Sequence, residues 1–288
     1  MKSPLFQGAC TALVTPFLNG KVNFPMLEQL IDRQLNSGIS TLVLCGTTGE
    51  SSTLSDEEKL QIFACGKQTA PQAKIICGTG SNDTRHAIEL SQAAENQGAD
   101  ALLIVSPYYN KATPKGLIDH YSAIAASVHI PIILYNVPGR TGVDIPVSVY
   151  KELSQISNIA GVKEASTDIT KTAKILSQCP EHFCVWSGND DMTVPILSLG
   201  GMGVISVVSN VAPMEVQDMC LAALSGNFDI AAALQLELLE LTHALFSEVN
   251  PIPVKAAMKL IGYDCGSCRP PLSDPSKDTL KKLTALLT

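Results

Sequence analysis

The stretch IAGVKEAS, residues 159–166, sets an amine, Lys163, inside what otherwise reads as an apolar β-strand. Taking a lysine out of water disfavours its ammonium form, so such a site pushes the pKa down from about 10.4. Reaching roughly 7–8 takes about 3–5 kcal/mol of differential destabilisation, which burial can supply. A neutral amine of that kind attacks a carbonyl carbon and forms a Schiff base that serves as an electron sink. The other reading is a structural amine paired with a carboxylate or reaching solvent. Glu164 is a poor partner for it, because adjacent residues of a strand point to opposite faces. The pattern by itself leaves both readings open.

Three further segments carry polar groups at strand ends. The loop GTTGESSTLSDEE (46–58) offers backbone N–H groups and the hydroxyls of Thr47 and Thr48, which suit a carboxylate; it lacks the lysine of a phosphate-binding loop. It reads equally well as a tight turn with capping hydroxyls. LYNVPGRTG (134–142) contributes the phenol of Tyr135 and the guanidinium of Arg140. A phenol beside an amine can relay protons, and a guanidinium can grip a carboxylate with two parallel hydrogen bonds. Filling the mouth of a barrel or decorating the surface would explain the same two residues, and the Tyr108–Tyr109 pair of SPYYNK would serve as packing. Histidines 86, 120, 129, 182 and 243 show no metal-ligand spacing, and the single Cys265-Gly-Ser-Cys268 motif has no second pair, so no metal is expected and the motif reads as structural.

The elements that must hold these groups alternate regularly. Eight short apolar runs, at 10–17, 40–46, 74–80, 101–107, 131–138, 159–165, 183–188 and 203–209, are separated by amphipathic stretches. Each run is hydrophobic throughout, as for parallel strands covered on both faces. Ser55 and Asn82 suit helix N-caps, and Gly38 and Gly98 suit helix ends. Strand followed by helix, eight times, predicts a (β/α)8 TIM barrel over residues 1–226. A doubly wound open sheet is the competing architecture, but PFLNGK after the first run is no phosphate-binding glycine loop. Residues 227–288 read as helices only, either an added layer or an oligomer contact. In a barrel, chemistry sits at the C-terminal ends of the strands, which brings Lys163, Tyr135, the Tyr108–Tyr109 pair and Thr47–Thr48 to one mouth.

Composition narrows the partners. The chain has 288 residues, 45% hydrophobic and 16% charged, enough to bury a large core without disulfides or metal. The formal net charge of −7, with no cluster of basic residues, argues against nucleic acid. No apolar run reaches the roughly 18 residues of a membrane helix and the N-terminus does not read as a signal peptide, so a cytoplasmic location is expected. Nine cysteines, most of them in apolar segments, suit reduced core thiols.

Taken together, GTTGES (46–51), SPYYNK (106–111), LYNVPGRTG (134–142), GVKEAS (161–166), GGMGVISV (200–207) and RPPL (269–272) closely resemble the dihydrodipicolinate synthase family, within the superfamily of N-acetylneuraminate lyase and other class I pyruvate aldolases. The resemblance implies a lyase that condenses pyruvate with L-aspartate 4-semialdehyde on the way to diaminopimelate and lysine, with no cofactor beyond the covalent pyruvate. Lys163 matches the Schiff-base lysine. Tyr135, Thr47 and Tyr109 match a proton-relay triad whose Tyr109 reaches a neighbouring subunit. Thr48 matches a residue holding the pyruvate carboxylate, Arg140 the arginine receiving the semialdehyde, and Gly188 and Ile205 the backbone lining the pyruvate site. A homotetramer, a dimer of dimers, is implied. N-acetylneuraminate lyase is the alternative activity, although it lacks the matching arginine, and a pyruvate-binding sensor barrel is the non-enzymatic one. Ser52, Asp56, Lys59, Asn82, His86 and Tyr108 fall where lysine-inhibited members bind their effector. Asp56, Lys59 and His86 depart from that pattern, and the added positive charge implies weak or absent lysine feedback.

Overall fold

The computed structural model describes residues 4–288. Eight parallel strands close a barrel: β1 (Gly8–Ala12), β2 (Thr41–Leu44), β3 (Lys74–Gly78), β4 (Ala101–Val105), β5 (Ile132–Asn136), β6 (Ile159–Glu164), β7 (Cys184–Ser187) and β8 (Gly203–Ser206), with β8 pairing back to β1. The chain is a (β/α)8 TIM barrel. Its outer helices are α1 (Phe24–Asn36), α2 (Asp56–Thr69), α3 (Thr84–Asn96), α4 (Pro114–Ser127), α5 (Val147–Leu153), α6 (Ile169–Gln178), α7 (Thr193–Ser198) and α8 (Pro213–Leu224). Four more helices follow, α9 (Phe228–Glu237), α10 (Leu239–Leu245), α11 (Ile252–Leu260) and α12 (Lys277–Leu287). Ala231, Val254 and Leu283 of this last group join the same buried apolar cluster as the barrel's outer face.

The apolar runs become strands because both of their faces are covered. Leu42, Leu44, Ile75, Leu102, Leu134 and Val162 pack outward against the helices, while Val43, Ile76, Leu103, Ile133, Trp186 and Ile205 fill the interior. Phe6 stacks on Trp186 with 5.0 Å between ring centroids, adding to the interior from ahead of β1.

Two local expectations need correction. The first strand spans 8–12, not 10–17: beyond Ala12 the chain leaves the sheet, Pro16 has no N–H to donate, and Phe17–Leu18 instead pairs antiparallel with Lys21–Val22. The N-cap of α3 is Asp83, whose carboxylate accepts from the Arg85 N–H at 3.0 Å. Asn82 spends its side chain on a loop contact, donating to the Tyr108 carbonyl at 3.2 Å. Ser55 does cap α2 and forms a reciprocal pair with Glu58, with Glu58 N–H donating to Ser55 Oγ at 3.2 Å and Ser55 N–H to Glu58 Oε2 at 3.0 Å. Gly38 and Gly98 follow the ends of α1 and α3 with φ of 82° and 86°.

Candidate active site

The position of Lys163 depends on a one-residue irregularity. Ile132 of β5 pairs with Ile159, but Ile133 pairs with Gly161, so Ala160 is an extra residue in β6. Ile159 and Val162 therefore both face the outer core although they are three residues apart. From Gly161 onward the alternation runs in the other phase, and Tyr135 pairs with Lys163. The bulge requires a glycine: Gly161 has φ 154°, and a Cβ there would run into the Cys184 backbone.

Lys163 is only 5% exposed and projects into the barrel, its Nζ lying 4.5 Å from the centroid of the Tyr135 ring. Glu164 faces the other way, as alternation requires. Its carboxylate accepts from Asn136 Nδ2 at 2.8 Å, the Ser166 N–H at 2.8 Å and the Tyr150 hydroxyl at 3.3 Å, and lies 3.8 Å from Lys171. Burial first, then the Glu164 charge, drives the Tyr150 hydroxyl well above its ordinary value, so it remains a proton donor to Glu164. With its neighbour thus satisfied, the catalytic-candidate amine makes no ion pair among the described residues.

A cavity of about 620 Å³ opens at the C-terminal ends of the strands and is lined by Thr47, Tyr108, Tyr135 and Arg140. Thr47 and Thr48 follow β2. Thr48 is buried, and its Oγ1 accepts from Asn250 Nδ2 at 3.0 Å. Arg140 sits on the helical turn Pro138–Thr141 after β5 and donates from Nη2 to the Asn250 carbonyl at 3.2 Å. Gly188 follows β7, where a Cβ would sit 2.6 Å from that of Ala165. The Ile205 side chain lies in the interior core, on β8 where that strand pairs with β1. Tyr109 stands apart: it is 90% exposed, with a left-handed φ of 69°. Non-glycine residues in that region are strained, and Cys45 and Glu50, beside the same cavity and loop, share the conformation.

The same cavity reaches Ser52, Asp56, Lys59 and His86. The Asp56 carboxylate is held from two sides, by His86 Nε2 at 2.7 Å and by Lys59 Nζ at 3.1 Å. Partial burial pushes the Asp56 pKa up, but the His86 hydrogen bond and then Lys59 outweigh it, and the group lies below its ordinary value.

Several site-forming residues lie outside the candidates that the sequence patterns single out. Glu50, within GTTGES, is fully buried: its Oε1 receives Lys255 Nζ at 2.8 Å and its Oε2 the Arg269 N–H at 2.8 Å. Lys255 also donates to the Thr15 carbonyl at 3.1 Å. Arg269 grips Glu58 through both terminal nitrogens, at 2.7 and 2.6 Å, and that contact is the main reason the Glu58 carboxyl lies below its ordinary range. The C-terminal segment thereby pins the loop that bears Thr47 and Thr48. Asp190, after β7, is a buried carboxylate that accepts from the Ser206 hydroxyl and from the Val207 N–H at 3.0 Å. Burial raises its pKa, opposed by Ser206, by backbone N–H groups and by the charge of Lys163. Lys255 had a legible signal, a lysine in an apolar helix, of the same kind that singled out Lys163. Cys265 is buried, and burial pushes its thiol and that of Cys268 up to about 12, so both stay protonated at neutral pH. No group of three or more His, Cys, Asp or Glu residues able to hold a metal occurs among the described residues.

The buried barrel lysine over the Tyr135 ring, with Arg140 at the mouth, can be set beside known proteins. The profile of the dihydrodipicolinate synthetase family matches residues 5–288. The chain belongs to that family. Among dihydrodipicolinate synthases, the 4-hydroxy-tetrahydrodipicolinate synthase of Acetivibrio thermocellus is 49% identical over 288 residues, covering 100% of this chain and 98% of that one. The dihydrodipicolinate synthase structure from Thermotoga maritima superposes with a TM-score of 0.97 at 40% identity, covering 98% of each chain. The chloride-inhibited dihydrodipicolinate synthase from Acinetobacter baumannii, solved in complex with pyruvate, superposes with a TM-score of 0.96 at 41% identity, again over 98% of each chain. No helix among the described residues is long and apolar enough to cross a membrane.

Proposed function

We propose that this protein condenses pyruvate with L-aspartate 4-semialdehyde to give 4-hydroxy-tetrahydrodipicolinate, through a Schiff base on Lys163. The observation that carries the proposal is the unpaired Lys163 amine, buried on the inner wall 4.5 Å from the Tyr135 ring, beside a cavity with Arg140 at its mouth. The Lys163 amine attacks the ketone carbon of pyruvate, and the oxygen leaves as water. The resulting iminium draws electrons from the methyl carbon, which gives up a proton to become an enamine. The enamine carbon bonds to the aldehyde carbon, whose oxygen takes up a proton. The substrate's own amine then displaces Lys163 from the iminium carbon, closing the ring and freeing the enzyme.

Thr47 and Tyr135 line the cavity and are suited to carry those protons. Thr48 would hold the pyruvate carboxylate with the backbone near Gly188 and Ile205, and Arg140 would take the carboxylate of the second substrate. The iminium is itself the electron sink, so the mechanism calls for no cofactor or metal.

Tyr109 would complete the relay from a neighbouring subunit: an aromatic residue 90% exposed in a strained backbone conformation has reason to be covered. A second contact is suggested by Leu199, Ile230 and Leu236, exposed on α9 and at the end of α7. Two such surfaces suit a dimer of dimers acting in the cytoplasm. Asp56, already engaged by Lys59 and His86, offers a lysine effector little, so feedback by lysine is weak or absent in this reading.

The test is borohydride reduction in the presence of pyruvate, followed by peptide mass analysis and a coupled condensation assay. A pyruvyl adduct on Lys163, lost in Lys163→Ala, is expected together with consumption of aspartate semialdehyde. Absence of the adduct overturns the mechanism. An adduct with cleavage of N-acetylneuraminate and no condensation would assign the lyase activity instead.

A further inference from the structure

Asn250 touches both residues assigned to the substrates' carboxylates, and it does so with different atoms. Its side-chain Nδ2 donates to Thr48 Oγ1 at 3.0 Å, whereas its backbone carbonyl accepts from Arg140 Nη2 at 3.2 Å. The residue is 5% exposed, and its Oδ1 is buried with no hydrogen-bond partner among the described residues. A buried acceptor left unpaired is costly, and an apolar side chain of the same shape would avoid the cost. Packing therefore does not account for an asparagine here; its donor does.

A threonine hydroxyl carries a single proton. With Asn250 Nδ2 donating into one lone pair of Thr48 Oγ1, that proton is directed away from Asn250 and is free to donate. A carboxylate accepts only, so it can bind Thr48 in this orientation and not in the reverse one, in which Thr48 would spend its proton on the asparagine oxygen. We infer that Asn250 is a positioning residue that fixes the polarity of the Thr48 hydroxyl for the pyruvate carboxylate, a role that rests on the proposed pyruvate chemistry at Lys163. The backbone half of Asn250 meanwhile holds Arg140 independently of the side chain.

That division of labour makes the two substrates separable. In Asn250→Ala the pyruvate concentration for half-maximal borohydride trapping should rise about fivefold, the effect of one hydrogen bond, while the KM for the aldehyde changes by less than about twofold. Asn250→Asp is nearly isosteric but takes the Thr48 proton and places negative charge beside a carboxylate. It should raise the half-trapping concentration more than Asn250→Ala does, the opposite of the ranking that shape alone would give. Unchanged trapping in Asn250→Ala, or equal shifts for both substrates, would overturn the inference. Should Asn250→Asp fail to fold, the alanine variant still decides it, with its urea midpoint showing that the fold is retained. A wild-type protein that traps no pyruvate would remove the Schiff-base reading as well, whereas normal wild-type trapping with unshifted Asn250 variants removes this inference alone.

Discussion

Replacing Lys255 by methionine keeps most of the side chain's volume and deletes its charge. The consequence follows from what that charge holds. Nζ donates to Glu50 Oε1 at 2.8 Å and to the Thr15 and Ser267 carbonyls at 3.1 and 3.3 Å, and the side chains of Lys255 and Glu50 are 3% and 0% exposed. Lys255→Met leaves the Glu50 carboxylate buried without its cation, held by the Arg269 N–H and the Cys268 thiol, a situation that costs about 3–5 kcal/mol. Removing the orphaned charge as well, in Lys255→Met/Glu50→Gln, should leave only neutral polar groups short of partners, for a total of about 1–3 kcal/mol. The double variant is thus expected to be the more stable of the two by about 2 kcal/mol. Urea titrations can follow this through the one tryptophan, Trp186, which is fully buried in the barrel interior. Both variants should also trap pyruvate less readily, because Glu50 anchors the loop bearing Thr47 and Thr48. A double variant destabilised by the sum of the two single changes would show that the ions do not depend on one another, and the reasoning would fail.

Arg140→Ala should leave the pyruvate adduct intact and raise the KM for aspartate semialdehyde roughly 10–100-fold, the value of a charge-assisted contact; equal loss of both half-reactions would contradict its assignment. L-Lysine at micromolar concentration should leave steady-state condensation rates unchanged, and inhibition there would refute the pairing of Asp56 with His86 and Lys59 as the cause of insensitivity. His120 is held neutral by burial, its pKa lowered to about 4 from an ordinary 6.5. The unfolded chain then binds the extra proton first, so this contribution is intact above about pH 6.5 and about 3 kcal/mol is lost as pH falls to about 4. His120→Phe should flatten that part of the stability profile, and parallel profiles for the two proteins would rule the histidine out. Gly161→Ala should drive a Cβ into the Cys184 backbone, disturb the β6 bulge and sharply reduce trapping on Lys163; wild-type trapping would show that the bulge tolerates a side chain.

The barrel was legible because its signals are local. Each strand is an apolar run short enough to read directly, and SDEE announces the start of α2 through a capping pair three residues apart. Lys163, Tyr135, Thr47 and Arg140 stood out for a related reason: each breaks a pattern or ends a strand. What stayed hidden depends on distant partners. Glu50 meets Lys255 across 205 positions, Asn250 meets Thr48 across 202, and no spacing rule connects them. Asn82 misled because it and Asp83 are both good caps, and the choice between them was made by the Tyr108 carbonyl. The β6 bulge was equally invisible, since Ile159 and Val162 are apolar whichever face they occupy.

The address of the reactive amine survives the loss of that bulge. Deleting Ala160 would remove only the extra residue: Ile159, Gly161, Val162 and Lys163 would then face Ile132, Ile133, Leu134 and Tyr135 in plain alternation, and the amine would still point into the barrel. A gene for this protein should therefore accept in-frame loss of the Ala160 codon more readily than the missense change Gly161→Ala, which keeps the count but drives a side chain into the Cys184 backbone.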